Sequence, residues 1–252
     1  MKKLNYRPFV VIGGLLLAWQ FALGDGSVVS DTLAPPGPVF LALGRMILDG
    51  TALHASYETL TAALLGLLLG GGIGTLIGIV SGMMKPLALA IRGPVEVLRP
   101  LPAIALVPLM TIAFGLGLPM EVYVVAFAVF WPSIILTQHA VRNVEAQLME
   151  VASVLELSRI ASIQKIVLPA IVPRLVVMLR FTAAIALLIA VTVELVSNPR
   201  GLGHEMMVAS ESFVPDRMLA FLIVITAIGW CLNWTMLRAE HYVTSSAQAF
   251  PE

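Results

Sequence analysis

Charged positions are so widely spaced along this chain that they mark out its architecture. No Asp, Glu, Lys or Arg occurs in residues 59–84, 100–120, 122–141 or 218–237. The stretch 172–194 is apolar apart from Arg174, Arg180 and the terminal Glu194, and residues 8–24 form a shorter apolar run. A helix of roughly 20 mostly apolar residues crosses a bilayer core. The pattern therefore predicts an all-α, polytopic membrane protein, a single domain over residues 1–252 with six transmembrane helices at about 8–24, 59–84, 100–120, 122–141, 172–194 and 218–237.

The second span contains the run GLLLGGGIGTLIGIVSG, residues 66 to 82, with seven glycines. Five of them, Gly66, Gly70, Gly74, Gly78 and Gly82, recur every four residues and so share one ridge of a helix. Between helices in lipid, close backbone approach takes over from hydrophobic burial, and small residues at this spacing permit it. The ridge is expected to pack against another transmembrane helix. A phosphate-cradling loop is the alternative, but the chain has no GxxxxGK[ST], and no lysine follows until Lys85.

Composition agrees: 59% of residues are apolar and 12% charged, against about 25% charged in an ordinary soluble domain. Net charge is zero, and nothing points to nucleic acid as a partner. Twelve of the 15 Lys and Arg residues fall on one set of alternating segments, beginning with Lys2, Lys3 and Arg7. The other set holds only Arg45, Arg200 and Arg217 beside nine acidic residues. Basic loops face the cytoplasm, so both termini are expected there. The run 8–24 is read as a retained first helix rather than a signal peptide, because no small-x-small cleavage site stands out after Ala22. Cys231 is read as a packed thiol. His54, His139, His204 and His241 lie in different segments without HxxxH spacing, so no metal site is expected.

The longest cytoplasmic loop spans about 143–170 and reads NVEAQLMEVASVLELSRIASIQKIVLPA up to Ala170. Leu148, Val151, Ala152 and Leu155 share a helical face, which predicts a short amphipathic helix seeking a protein partner or the membrane interface. Pro169 and Pro173 are expected to interrupt any helix continuing into the fifth span. Glu150, Val151 and Ala152, followed by Ile166, Leu168 and Pro169 at offsets of 16, 18 and 19 from the glutamate, resemble the E-A-A-x3-G-x9-I-x-L-P signature of membrane subunits of ABC-type importers. Val151 stands at one of the alanine positions. Glu156 replaces the usual glycine, which implies a more continuous helix or an added polar contact there.

The resemblance covers roughly residues 9–240. VLRPLPAIALVPLMTIAFGLG, residues 97 to 117, is similar to a segment of the nitrate, sulfonate and taurine branch, as are PPGPVF at 35 to 40 and Glu194 followed by Gly201-Leu202-Gly203. It implies a type I ABC importer permease fold in the inner (cytoplasmic) membrane, half of a homodimeric pore. The chain carries no Walker motif, so the resemblance assigns ATP and Mg to two separate ABC ATPase subunits that dock on the 143–170 loop through Glu150, Val151, Ala152, Leu155, Glu156, Ile166, Leu168 and Pro169. An external substrate-binding protein delivers a small anion such as a sulfonate, taurine or nitrate. The chain itself is then not an enzyme and holds no cofactor.

Several residues keep two readings. Prolines 100, 102 and 108 either flank a translocation path or make a packing kink. Glu194 either bonds the turn at Gly201 and Gly203 or forms a gate, and Trp131 is either a path residue or packing. Arg180 either snorkels to the headgroups or touches the path. The rival functions are another importer branch (vitamin precursor, aromatic acid, methionine or phosphonate), a membrane-embedded enzyme and a secondary transporter. The last two lack a catalytic constellation and buried ion sites, respectively.

Overall fold

The computed structural model describes residues 14, 17–21, 34–144 and 154–248. Its helices are α1 (Pro36–Leu48), α2 (Thr51–Met83), α3 (Lys85–Leu98), α4 (Ala103–Phe114), α5 (Leu118–Arg142), α6 (Ile163–Val196), α7 (Gly201–Glu211) and α8 (Pro215–Gln248). Among the described residues, four helices are long and apolar enough to cross a membrane: α2, α5, α6 and α8 as far as Val243. Of the expected first span, 8–24, only residues 14 and 17–21 are described, all helical.

The third span differs from its expectation. The irregular backbone expected at its prolines is present, but the span starts earlier than residue 100: α3 and α4 reach spanning length only as a pair bent by 85°. Pro100 and Pro102 lie in the break between them, and α4 opens with a single 3₁₀ turn before Pro108 enters its first α-helical turn. Proline removes an amide donor and forces the preceding residue toward extended backbone, so three prolines within nine residues favour a bend over continuation.

The fifth span differs in the opposite way. Pro169 and Pro173 do not interrupt it, and α6 runs 34 residues from Ile163. A π turn over Ile163–Val167 lies directly before Pro169, and such a turn shifts the backbone hydrogen bonds at the place where the missing proline amide would otherwise break the ladder. α2 and α6, at 1.5 Å per residue, are about 50 Å long, more than the roughly 30 Å of bilayer hydrocarbon.

α2 and α5 run parallel, with the glycine ridge as their seam. A Cβ on Gly66 would fall 2.5 Å from Val125, on Gly74 2.6 Å from the Phe130 carbonyl, on Gly78 2.7 Å from Thr137 and on Gly82 2.6 Å from Val141, while on Gly70 it would overlap the Ala126 carbonyl. A four-residue repeat drifts around a 3.6-residue helix. The π turn Leu67–Gly71 under-winds α2 in mid-span and so holds the ridge on its partner. Ser81 accepts from Gln138 at 3.1 Å near the far end of the seam.

α6 runs antiparallel to this pair and α8 packs on α6. The Arg180 guanidinium donates to Asn233 at 2.9 Å and to Glu240 at 3.2 Å, pinning α8 to α6. A core of Val39, Met46, Leu202 and Phe221 joins α1, α7 and α8.

Candidate functional site

Where α2 and α5 begin and α6 ends, buried acidic side chains surround the start of α7. The first amides of a helix have no partner within it and carry partial positive charge. Here Gly201 donates to Glu58 at 3.1 Å, Leu202 to Thr59 at 2.9 Å and Gly203 to Glu194 at 2.8 Å. Two consecutive residues of α2 therefore hold two consecutive amides of α7, and α6 holds the third. Gly201 has φ 89, and a Cβ there would strike the Glu194 carboxyl group. A Cβ on Gly203 would strike the Val191 carbonyl oxygen. Only glycine fits at both places. Between them, fully buried Leu202 enters the core around Phe221.

Glu194 itself is 1% exposed, bonding Gly203 from the interior and not from an outer surface. Behind it lies Glu121, 2% exposed, whose Oε2 accepts from the side-chain amide of Asn198. The carboxyl groups of Glu121 and Glu194 are near neighbours. A cavity of about 280 Å³, lined by His54, Tyr57, Thr61, Leu118 and Arg200, reaches Glu121 and Asn198. Beside it a polar cavity of about 620 Å³ is rimmed by Asp49, Glu58 and Glu205. The Thr51 amide, donating at 2.9 Å, holds the Asp49 carboxyl below its ordinary value, helped by the Thr51 hydroxyl and the Arg217 charge.

The proposed gate and path residues are thus separated. Glu194, Gly201 and Gly203 come together, but Trp131 is buried with its ring edge-on to Phe127 and Phe130. Pro102 and Pro108 are exposed along the α3–α4 bend. Asn198 and Glu121 were not singled out from the sequence. They lie 77 residues apart, and only the placement of Glu121 at an expected span boundary hinted at the pair.

At the opposite end, Glu150, Val151 and Ala152 lie outside the described residues. Leu155 and Glu156 form an exposed turn, and Glu156 has φ 48. The expectation of a more continuous helix is therefore corrected: the chain turns at Glu156 in the left-handed backbone that glycine adopts freely. Ser158 then caps a new helical turn, Arg159–Ser162, by accepting from the Ala161 amide at 3.3 Å.

Ile166 is half-buried, and Leu168 and Pro169 face outward. The inward contacts are made by Val167 and Ile171, which pack on Ile79, Ala140 and Val141. Ile163, Val167, Ile171 and Leu175 form a four-residue apolar repeat that was legible in the sequence. Arg174 completes the anchor, donating to the carbonyls of Ala140 at 3.0 Å and Asn143 at 2.9 Å. A cation on the last carbonyls of a helix satisfies both their hydrogen bonding and their dipole. Among the described residues, no group of three or more His, Cys, Asp or Glu side chains is arranged to hold a metal ion.

Comparison with known proteins adds four findings. Residues 74–244 match the family described as the binding-protein-dependent transport system inner membrane component. The chain is 31% identical to a putative aliphatic sulfonates transport permease of Bacillus subtilis (strain 168), over 90% of this chain and 83% of that protein. It is 28% identical to a bicarbonate transport system permease of Synechococcus elongatus, over 90% and 84% of the two chains. The fold matches a chain of the MetNI methionine ABC transporter, solved in inward-facing conformations, with a TM-score of 0.68 and 17% identity over 82% of this chain and 98% of that one.

Proposed function

This chain belongs to the family of binding-protein-dependent transport system inner membrane components, and we propose that it forms, with a second copy of itself, the path of an ATP-driven importer of small anions. It is a multi-pass permease of the inner membrane, a transport subunit of the ABC class. In this reading ATP and Mg are bound by two partner ATPase subunits, and an external binding protein supplies the solute. Sulfonate and bicarbonate are the solutes in the names of relatives aligned over nine-tenths of the chain. They share small size and negative charge, which is why the proposal stops at that class.

One observation supports the mechanism: the described parts of the 143–170 segment, residues 143–144 and 154–170, and the α7 latch sit at opposite ends of the same two helices. Arg174 and Val167 fix the segment to the last turn of α5 and the start of α6. Glu121 lies in the first turn of α5, and Glu194 lies near the end of α6. The basic residues Lys85, Arg92, Arg99, Arg142 and Lys165 gather toward the segment's end, which supports a cytoplasmic placement. A push from the ATPase partners on this segment moves α5 and α6 as rigid levers and so strains the hydrogen bonds around α7 at the outer end. ATP binding then biases a two-state element through differential affinity.

The substrate class is tested with the permease and its ATPase partners in nanodiscs. Binding protein loaded with an alkanesulfonate is expected to stimulate ATP hydrolysis several-fold, and competition with zwitterionic methionine is expected to leave this unchanged. Stimulation by methionine-loaded binding protein alone would move the chain to another importer branch.

A further inference from the structure

We propose that Glu121, Glu194 and Asn198 form a binding site for a small monovalent cation, reached through the cavity between α2, α5 and the link before α7. The inference is independent of the transport reading. It begins from three buried oxygens, Glu121 Oε1, Glu194 Oε1 and Asn198 Oδ1, which are left without a hydrogen-bond partner unless the two carboxyl groups share a proton. All three are acceptors. Each carboxyl group has its other oxygen engaged, Glu121 by the Asn198 side-chain amide and Glu194 by the Gly203 amide. Turning the Asn198 amide over gains nothing, because it would set an oxygen against the Glu121 carboxylate.

No described Lys, Arg or His forms an ion pair with either carboxyl group. Glu58, the third acidic group nearby, adds negative charge and engages His54 at 3.5 Å and the Gly201 amide. The cavity wall also carries His54 and the cation of Arg200, both exposed. The start of α7 supplies about half a charge. Buried charge without compensation is costly and is met either by a bound proton or by a counter-charge. The cavity, about 280 Å³, gives water and small ions access to Glu121 and Asn198 from the bundle end.

The donor set chooses the ion. Carboxylate and amide oxygens suit hard cations, whereas soft or transition metals require sulfur or imidazole. A calcium-like ion takes 6–8 oxygens with several carboxylates, and the described residues offer no third acidic group arranged for a metal. Three oxygens completed by cavity water fit an ion such as sodium. Bound there, the ion links α5, α6 and the link before α7 behind the Gly203 bond.

The test uses the full chain in nanodiscs at pH 7.5, with NaCl exchanged for choline chloride at constant ionic strength. The thermal unfolding midpoint is expected to rise saturably with sodium, by about 3–6 °C at ten times the dissociation constant. The rise is expected to vanish in Glu121→Gln and persist in Glu96→Gln, whose partner Arg92 lies on α3. Saturable binding of radioactive sodium to the unmodified chain provides a second readout that needs no variant. Equal midpoints in the two salts without saturable sodium binding would overturn the site, leaving a shared proton or buried water between the carboxyl groups. A response to calcium but not sodium would overturn the monovalent assignment.

Discussion

Glu194 accepts the amide hydrogen of Gly203 at 2.8 Å while its carboxyl group lies directly against the Cα of Gly201. The contact explains why two glycines flank Leu202, and it fixes α7 to the end of α6. Gly201→Ala is expected to lower stability by at least about 1–2 kcal/mol from the left-handed backbone alone, with the steric clash adding to this. Thermal unfolding in nanodiscs reads the loss. A variant as stable as the unmodified chain would show that the latch tolerates a side chain.

The α2–α5 seam predicts a sharp contrast between neighbouring glycines. Gly74→Leu would drive its side chain into the Phe130 carbonyl and Ser133, and is expected to collapse the yield of folded protein. Gly72 has open space around its missing Cβ, so Gly72→Ala is expected to be neutral or to stabilise α2 by about 0.5–1 kcal/mol. Equal behaviour of the two variants in size-exclusion and thermal assays would refute the seam.

Glu156 occupies a left-handed turn without help from a glycine. Glu156→Gly is expected to preserve or raise ATPase stimulation by loaded binding protein, and Glu156→Ile to reduce it several-fold, because a β-branched residue resists positive φ. A wild-type response from the isoleucine variant would contradict a required turn.

Arg174 holds the end of α5 through two carbonyls. Arg174→Ala is expected to leave membrane insertion intact and reduce coupled hydrolysis, with Arg174→Lys recovering part of it by reaching one carbonyl. Charge-assisted bonds of this kind contribute about 1.5–3 kcal/mol at most when sheltered. The exposed setting of Arg174 places the loss at the lower end. Unaltered coupling in the alanine variant would show that the anchor is dispensable.

Asp49 supplies the pH dependence that can be read outside the membrane spans. Its folded carboxyl is held below the ordinary value, so its contribution is present at neutral pH and disappears as pH falls through that lowered value. Asp49→Asn is expected to be slightly less stable than the unmodified chain at pH 7 and equal to it at strongly acid pH. Parallel stability curves for the two proteins would rule out the Thr51 contact as the source.

Much of this architecture was legible because lipid imposes simple rules. Charge spacing located the regions of α2, α5, α6 and α8, and the Gly66 to Gly82 repeat marked a surface built for close approach. What failed was local inference from proline. Pro169 is expected to interrupt the helix, yet it follows a π turn inside a continuous α6, whereas the prolines at 100, 102 and 108 accompany an 85° bend. The Glu121–Asn198 and Arg174–Ala140 contacts join residues 77 and 34 positions apart. No period or local spacing encodes such pairs, because they exist only once the helices are packed.

The central claim is that this permease moves solute only when ATPase partners act on its 143–170 segment. The most direct measurement is uptake of a radiolabelled alkanesulfonate into vesicles containing the permease, its ATPase partners and its binding protein. ATP-dependent accumulation is predicted, with loss of uptake but retained assembly when Glu150 is changed to Arg. Accumulation without ATP or without the ATPase subunits would contradict the account.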